Sequence, residues 1–219
     1  TPQEFNLFAH RVQNEIYDSY FHDIKTAGLK PKNSEYYADI IEMTEEKLHM
    51  FHVDSSYYTS TASLTLPSTI YKLIDITRNG NKVTPINKSQ ISYTENHPLT
   101  KATLTKSVFV REDSNVVTIY PSPSSSTYDY DSDDSGAVDQ ETFEVSYYKT
   151  PTAPNWAYVV VKNKALFNTN LSTNFELHVS EEEILVAKIL ALSGIALMKQ
   201  ELVQYGSGME KVTKASQND

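Results

Sequence analysis

Six histidines are the first candidates for chemistry: His10, His22, His49, His52, His97 and His178. Only His49 and His52 are close in sequence, and their i, i+3 spacing would place both imidazoles on one helix face. A zinc site needs a further ligand and usually the adjacent Glu of H-E-x-x-H; neither is evident, so partly exposed helix histidines are the plainer expectation. The stretch DYDSDDSGAVDQE offers Asp129, Asp131 and Asp133 at the spacing of an acidic calcium loop, which makes them candidate metal ligands. Against that, Asp134 stands where such a loop turns on Gly, Gln140 stands where it uses a bidentate Glu, and Glu141 comes one residue late. The plainer reading is a solvated acidic loop. Glu181, Glu182 and Glu183 read as charges at the positive end of a helix, not as an acid–base pair. The sequence has no G-x-S-x-G, P-loop or G-x-G-x-x-G motif, and no pattern sets a base beside a Ser or Thr. No catalytic residue and no cofactor is assigned, and an enzyme is not expected.

Composition narrows the partners. The 219 residues carry 28 Asp and Glu against 19 Lys and Arg, a net charge of −9, which argues against non-specific nucleic-acid binding. There is no Cys, so disulfides and thiolate chemistry are excluded, and the 15 Tyr suit strands and wet interfaces. The opening TPQEFNLFAHRVQNEI lacks the basic and apolar regions of a secretory leader. The best apolar run, residues 184–198, is broken by Lys188 and falls short of the roughly 20 residues of a membrane span, so no membrane partner is expected.

Three kinds of element must position whatever these residues do. Residues 2–27 predict a helix, with Thr1 as cap, Pro2 in the first turn, Gly28 as stop, and Phe5, Phe8, Val12, Ile16 and Tyr20 as its stripe. Residues 33–52 predict a second helix, capped by Ser34, with Tyr37, Ile40, Ile41, Leu48 and Phe51 facing inward and a possible break at Thr44–Glu45. From 56 onward period-two alternation takes over. Strands are expected at 69–77 and 82–86 around the hairpin signal Asn79–Gly80, then at 104–111, 115–120, 142–150 and 156–162. Residues 121–141, rich in Ser and Asp, predict a long exposed acidic loop in which Tyr128, Tyr130 and Asp131 are candidate contacts.

The chain then returns to helix. Ser180 and Glu183 form a capping-box pattern, and EEEILVAKILALSGIALMKQELVQYG (181–206) reads as one long helix that is apolar nearly all round. Its small residues Ala187, Ala191 and Gly194, with Met198 and Tyr205, are candidate subunit contacts. The expected fold class is therefore α+β. Residues 1–55 and 175–206 form a small helical bundle with an inserted antiparallel β sandwich or barrel over 56–174, and 207–219 forms a polar tail.

Four strings occur in an order that resembles a known family: SLTLPSTIYKLIDITRNGNKVTPI (63–86), NVVTIYPSP (115–123), FEVSYYKTPTAP (143–154) and FELHVSEEEILVAKILALSGIALMKQE (175–201). The layout of residues 1–205 resembles the head-to-tail adaptors, or ring proteins, of short-tailed phages, closest to a ring protein of the crAss-like phages. That resemblance implies a structural virion protein, made in the host bacterial cytoplasm. It implies a homo-oligomeric ring, dodecameric in such adaptors, that contacts the portal and other tail or ring proteins. DNA would pass through the lumen without sequence-specific binding. The alternative is a β-rich surface binding module of carbohydrate or adhesin type that uses calcium at Asp129–Asp134 and exposed Tyr and Trp156.

Overall fold

The computed structural model describes residues 1–28, 35–59, 61–123 and 141–217. Helix α1 spans Pro2–Gly28, and the Thr1 hydroxyl accepts a hydrogen bond from the Glu4 amide at 3.4 Å. Its buried face is Ala9, Val12, Gln13, Ile16, Tyr17 and Tyr20, a repeat of three and four residues. Of the expected stripe, Phe8 is half-buried and Phe5 exposed. Helix α2 spans Glu35–His49 without the expected break. Thr44 is buried and its hydroxyl donates to the Ile40 carbonyl at 2.7 Å, so the helix satisfies that polar group itself. The Ser34 cap lies outside the described residues.

Strand β1 (His52–Thr59) starts almost at once, four residues ahead of the expected boundary. Then come β2 (Ser63–Thr65), β3 (Ile70–Arg78), β4 (Asn81–Lys82), β5 (Thr84–Pro85), the short helix α3 (Ile91–Asn96), β6 (Val108–Arg111), β7 (Val116–Tyr120) and β8 (Glu141–Lys149). The chain continues through β9 (Tyr158–Val161), β10 (Lys164–Phe167), α4 (Glu182–Ala196) and α5 (Gln200–Gln217). The class is α+β, as expected.

Two compact units result. Residues Phe51–Thr150 form one, as a single continuous insertion; Thr1–Met50 and Pro151–Asp219 form the other. The inserted unit has two four-stranded sheets, in the orders β1-β8-β3-β4 and β2-β7-β6-β5. All neighbours are antiparallel except β5 and β6. Period-two burial sends Ile76, Phe143, Val145 and Tyr147 from the first sheet and Leu64, Phe109, Val117 and Ile119 from the second into one core. At the expected hairpin, Arg78 pairs with Asn81 across Asn79 (φ 48°) and Gly80 (φ 78°), the two left-handed residues a type I′ turn requires.

The helical unit departs from the sequence reading in two places. The strand expected at 156–162 does not belong to the inserted unit. Among the described residues it pairs only with β10, and the two make a hairpin within the helical unit. The single helix expected over 181–206 is two helices. After Ala196 the chain closes a C-terminal motif in which Lys199 N–H bonds to Gly194 O (2.9 Å) and Met198 N–H to Ile195 O (3.1 Å), with Met198 in the left-handed conformation at φ 55°. Glycine usually fills that position, so the stop carried no sequence signal. Helix α5 then packs back along α4 and absorbs most of the expected tail.

Glycine makes that return possible. A Cβ on Gly206 would lie 2.7 Å from Ala187 O and 2.8 Å from Ala191 N, and one on Gly194 would lie 2.9 Å from Val203 N. Leu202, Val203, Gly206, Met209, Glu210 and Thr213 form the inward stripe of α5 at helical spacing. At Gly206, close packing of the two backbones therefore outweighs a poor helix propensity of about 1 kcal/mol.

Candidate interaction surface

Two amides on α1 set the geometry of the β9–β10 hairpin. Asn6 and Gln13 are seven residues apart, hence on one helix face. Asn6 Nδ2 donates to Asn155 Oδ1 (2.8 Å) and Trp156 O (3.3 Å), and Asn6 Oδ1 accepts from Trp156 N (2.8 Å). The side-chain amide thus pairs with the Trp156 backbone as a strand would. Two turns on, Gln13 Nε2 donates to Thr152 O at 2.7 Å, its Oε1 accepts from Glu176 N at 3.1 Å, and Glu176 Oε2 accepts from Thr152 N at 2.8 Å. Gln13 is buried with both its amide nitrogen and its oxygen bonded, so this ladder is a firm support.

Trp156, so held, carries the hairpin. Its ring stacks on Tyr158 (5.6 Å) and Phe167 (6.4 Å), which the register places opposite one another on one hairpin face. Beside it lies a cavity of about 150 Å³ lined by Phe5, Ala9, Pro154, Phe167 and Phe175. That volume matches one ring or side chain and is well below the few hundred Å³ of a cofactor site. The opposite face presents Val159, Leu166 and Val161, each 46–51% exposed, with Lys164 beside Val161. These apolar side chains sit on regular backbone, and no third strand joins the ribbon among the described residues.

Another uncovered apolar surface is the α4–α5 turn. Met198 is 94% exposed there, with Ile195 and Leu197 also open and Tyr205 exposed on α5. Of the expected contact residues, Met198 and Tyr205 are therefore at the surface. Ala187 and Gly194 are buried, and Ala187, Ala191 and Gly194 all lie against α5 of the same chain. The small-residue line serves an intrachain helix pair.

Charges inside the helical unit are mostly structural. Lys188, which interrupts the apolar run, contacts Glu15 of α1 and Glu210 of α5 (3.4 Å) with its own side chain 13% exposed. Burial works against its charge, but the hydrogen bond and charge of Glu15 and the charge of Glu210 outweigh that and hold the amine above its ordinary range. Glu181 is no solvated helix-end charge: it is buried and paired with Lys47 at 2.6 Å. The Lys47 ammonium lies over the Tyr20 ring at 5.9 Å. Burial, and secondarily the Glu181 carboxylate, push the Tyr20 phenol well above its ordinary range. The expected Ser180–Glu183 capping box is not formed. Instead a 3-10 turn precedes α4, and Ser180 Oγ lies 2.9 Å from His178 Nδ1.

In the inserted unit the residue that sequence reasoning passed over is Arg78, 1% exposed. Its Nε donates to Glu141 Oε2 (2.6 Å), and its Nη1 to Pro121 O (2.8 Å) and Ser107 Oγ (3.2 Å). Its Nη2 sits 2.5 Å from the same Glu141 oxygen, as an ion-pair contact without a directed hydrogen bond of its own. One guanidinium thus ties the two ends of the acidic stretch. The candidates Tyr128, Asp129, Tyr130, Asp131 and Asp133 lie outside the described residues. His49 and His52 do not share a helix face, because α2 ends at His49 and His52 opens β1. Among the described residues no group of three or more His, Asp or Glu side chains could hold a metal ion, and no helix is long and apolar enough to cross a membrane.

Comparison with known protein families and with curated proteins finds no match to this sequence.

Proposed function

We propose that this chain is a structural virion protein: one subunit of a ring in the head-to-tail connector that joins portal to tail and encloses the DNA channel. The observation that carries the reading is the apolar surface the helical unit leaves uncovered. Val159, Val161 and Leu166 on the hairpin, and Ile195, Leu197 and Met198 on the helical turn, are held in water by ordered backbone. Sister copies packed side by side would cover such residues, and a heterologous contact repeated around an axis closes a ring.

By the resemblance, the ring is a dodecamer whose partners are the portal and other tail or ring proteins. The protein resides in the virion after synthesis in the host bacterial cytoplasm. A net charge of −9 suits a channel wall that must let a phosphate backbone slide past. No cofactor and no catalytic step enters this reading.

Immunogold labelling of tailed particles with an antibody to the full chain tests it. Label at the head–tail junction is expected; label confined to the capsid or the distal tail would overturn it. Mass photometry at rising concentration, with and without calcium, separates the ring subunit from a surface binding module. Higher oligomers support the ring, and a monomer that calcium stabilises supports the module.

A further inference from the structure

The helical unit carries two surfaces of opposite charge that the described chain leaves unpaired. On α2, Asp39, Glu42, Met43 and Glu46 follow i, i+3, i+4, i+7 spacing and form one exposed stripe, opposite the buried Thr44 and Leu48. None of its three carboxylates has an ion-pair or hydrogen-bond partner among the described residues, and Met43 at the centre is half exposed. On the hairpin, Lys162 and Lys164 flank Asn163 at the tip, both exposed and both without such a partner among the described residues. Lys162 and Asn163 have φ of 50° and 61°, so the tip is a tight left-handed turn that presents its two lysines from ordered backbone. Beside Lys164 on the same face lie Val161, Val159 and Leu166.

Each surface supplies what the other lacks: three acids around a methionine, and two lysines beside three aliphatic side chains. We propose that the β9–β10 hairpin of one copy docks on the α2 stripe of the next. The proposal rests on the ring reading above and names the contact that would build it. The two surfaces differ, so the contact is heterologous, and each copy both gives a hairpin and receives one. A chain of net charge −9 repels its own copies at long range, which makes two lysines facing a cluster of carboxylates the term that sets orientation and encounter rate. The apolar residues between them exclude water from the contact.

The chain has no Cys, so introduced thiols are unambiguous. Leu166→Cys and Met43→Cys variants of the full chain, mixed and oxidised, are expected to form a disulfide dimer that neither forms alone. The double variant should form a ladder of higher species. Adding Lys162→Glu and Lys164→Glu to the hairpin variant should abolish the cross-link, and mixing that protein with a Met43→Cys chain carrying Glu42→Lys and Glu46→Lys should restore it. The contact is overturned if Leu166→Cys cross-links to itself as fast as to Met43→Cys. It is equally overturned if Met43→Cys does no better than a Leu104→Cys control on the inserted unit. Mass photometry of the unmodified chain keeps the two claims apart. Higher oligomers without the cross-link reject this contact and leave the ring reading standing, whereas the cross-link in linear ladders that never close rejects the ring and keeps the contact.

Discussion

Asn79–Gly80 and Lys162–Asn163 make the same two-residue left-handed turn, yet the strands they join end up in opposite circumstances. β3 enters a four-stranded sheet and buries Ile76 in a core shared by two sheets. β9 and β10 find no third strand among the described residues and keep Val159, Val161 and Leu166 in water. An isolated two-stranded ribbon is marginal in water. Here it is held by Trp156 and, through Trp156, by Asn6 on α1. The inserted unit buries the inner faces of its two sheets against each other, whereas the helical unit is well fastened but leaves the β9–β10 ribbon and the α4–α5 turn uncovered. Apolar residues of the first kind should govern folding; those of the second should govern association.

The comparison breaks most readily at Phe143, which is fully buried between the sheets. Phe143→Ala should cost about 3–5 kcal/mol in chemical denaturation of the inserted unit; a cost under about 1 kcal/mol would mean that the sandwich is not the tight core described. Arg78→Ala should cost somewhat less, about 3 kcal/mol, because Glu141 loses its buried partner but keeps some access to water. Hydrogen exchange should show the loss concentrated at the β3 and β8 ends beside Pro121 and Glu141.

In the helical unit the sharpest test is Gly206→Ala. The new Cβ would meet backbone atoms of α4 at 2.7 and 2.8 Å, which cannot swing aside as a side chain can. A loss of about 1–3 kcal/mol is expected, although the substitution raises intrinsic helix propensity. Met198→Gly should run the other way. It relieves a left-handed non-glycine residue and should stabilise the fold by about 1 kcal/mol. If Met198 serves association, the same variant should assemble less well while melting higher, a separation that differential scanning calorimetry and mass photometry would reveal together.

The last test reads stability in alkali. The Tyr20 phenol and the Lys188 amine both have folded pKa values above their ordinary ones, so the folded state binds more protons than the unfolded state in alkali. Their contribution is complete below about pH 10 and lost as pH rises beyond it. In an ultraviolet titration Tyr20 should ionise only as the helical unit unfolds, and Tyr20→Phe should shift that alkaline midpoint upward.

Legibility followed the range of the forces involved. The α1 boundaries, the Asn79–Gly80 hairpin and the alternation of β7 and β8 were readable, because capping, turn chemistry and period-two burial act between residues a few positions apart. The Lys162–Asn163 turn was missed because Lys162 is an unusual residue for a left-handed position and no Gly follows Asn163 to mark the turn. Helix α5 was missed because Gly206 read as the end of the helix, and only the backbone of α4 passing beside it makes glycine an advantage. Of the candidate contacts, exposed Met198 and Tyr205 were within reach of sequence. That Ala187, Ala191 and Gly194 would be used up by the chain's own helix was not.

The sequence by itself determined the class of the protein: an acidic, cysteine-free α+β chain with helices at both ends and strands between. Its charge, turn pairs and burial periods are local properties that any compact fold must respect. Tertiary structure alone decided which apolar residues are hidden and which are left for another molecule. Burial depends on which backbone arrives beside a residue, and a side chain's chemistry is the same whether its cover comes from its own chain or from a neighbour.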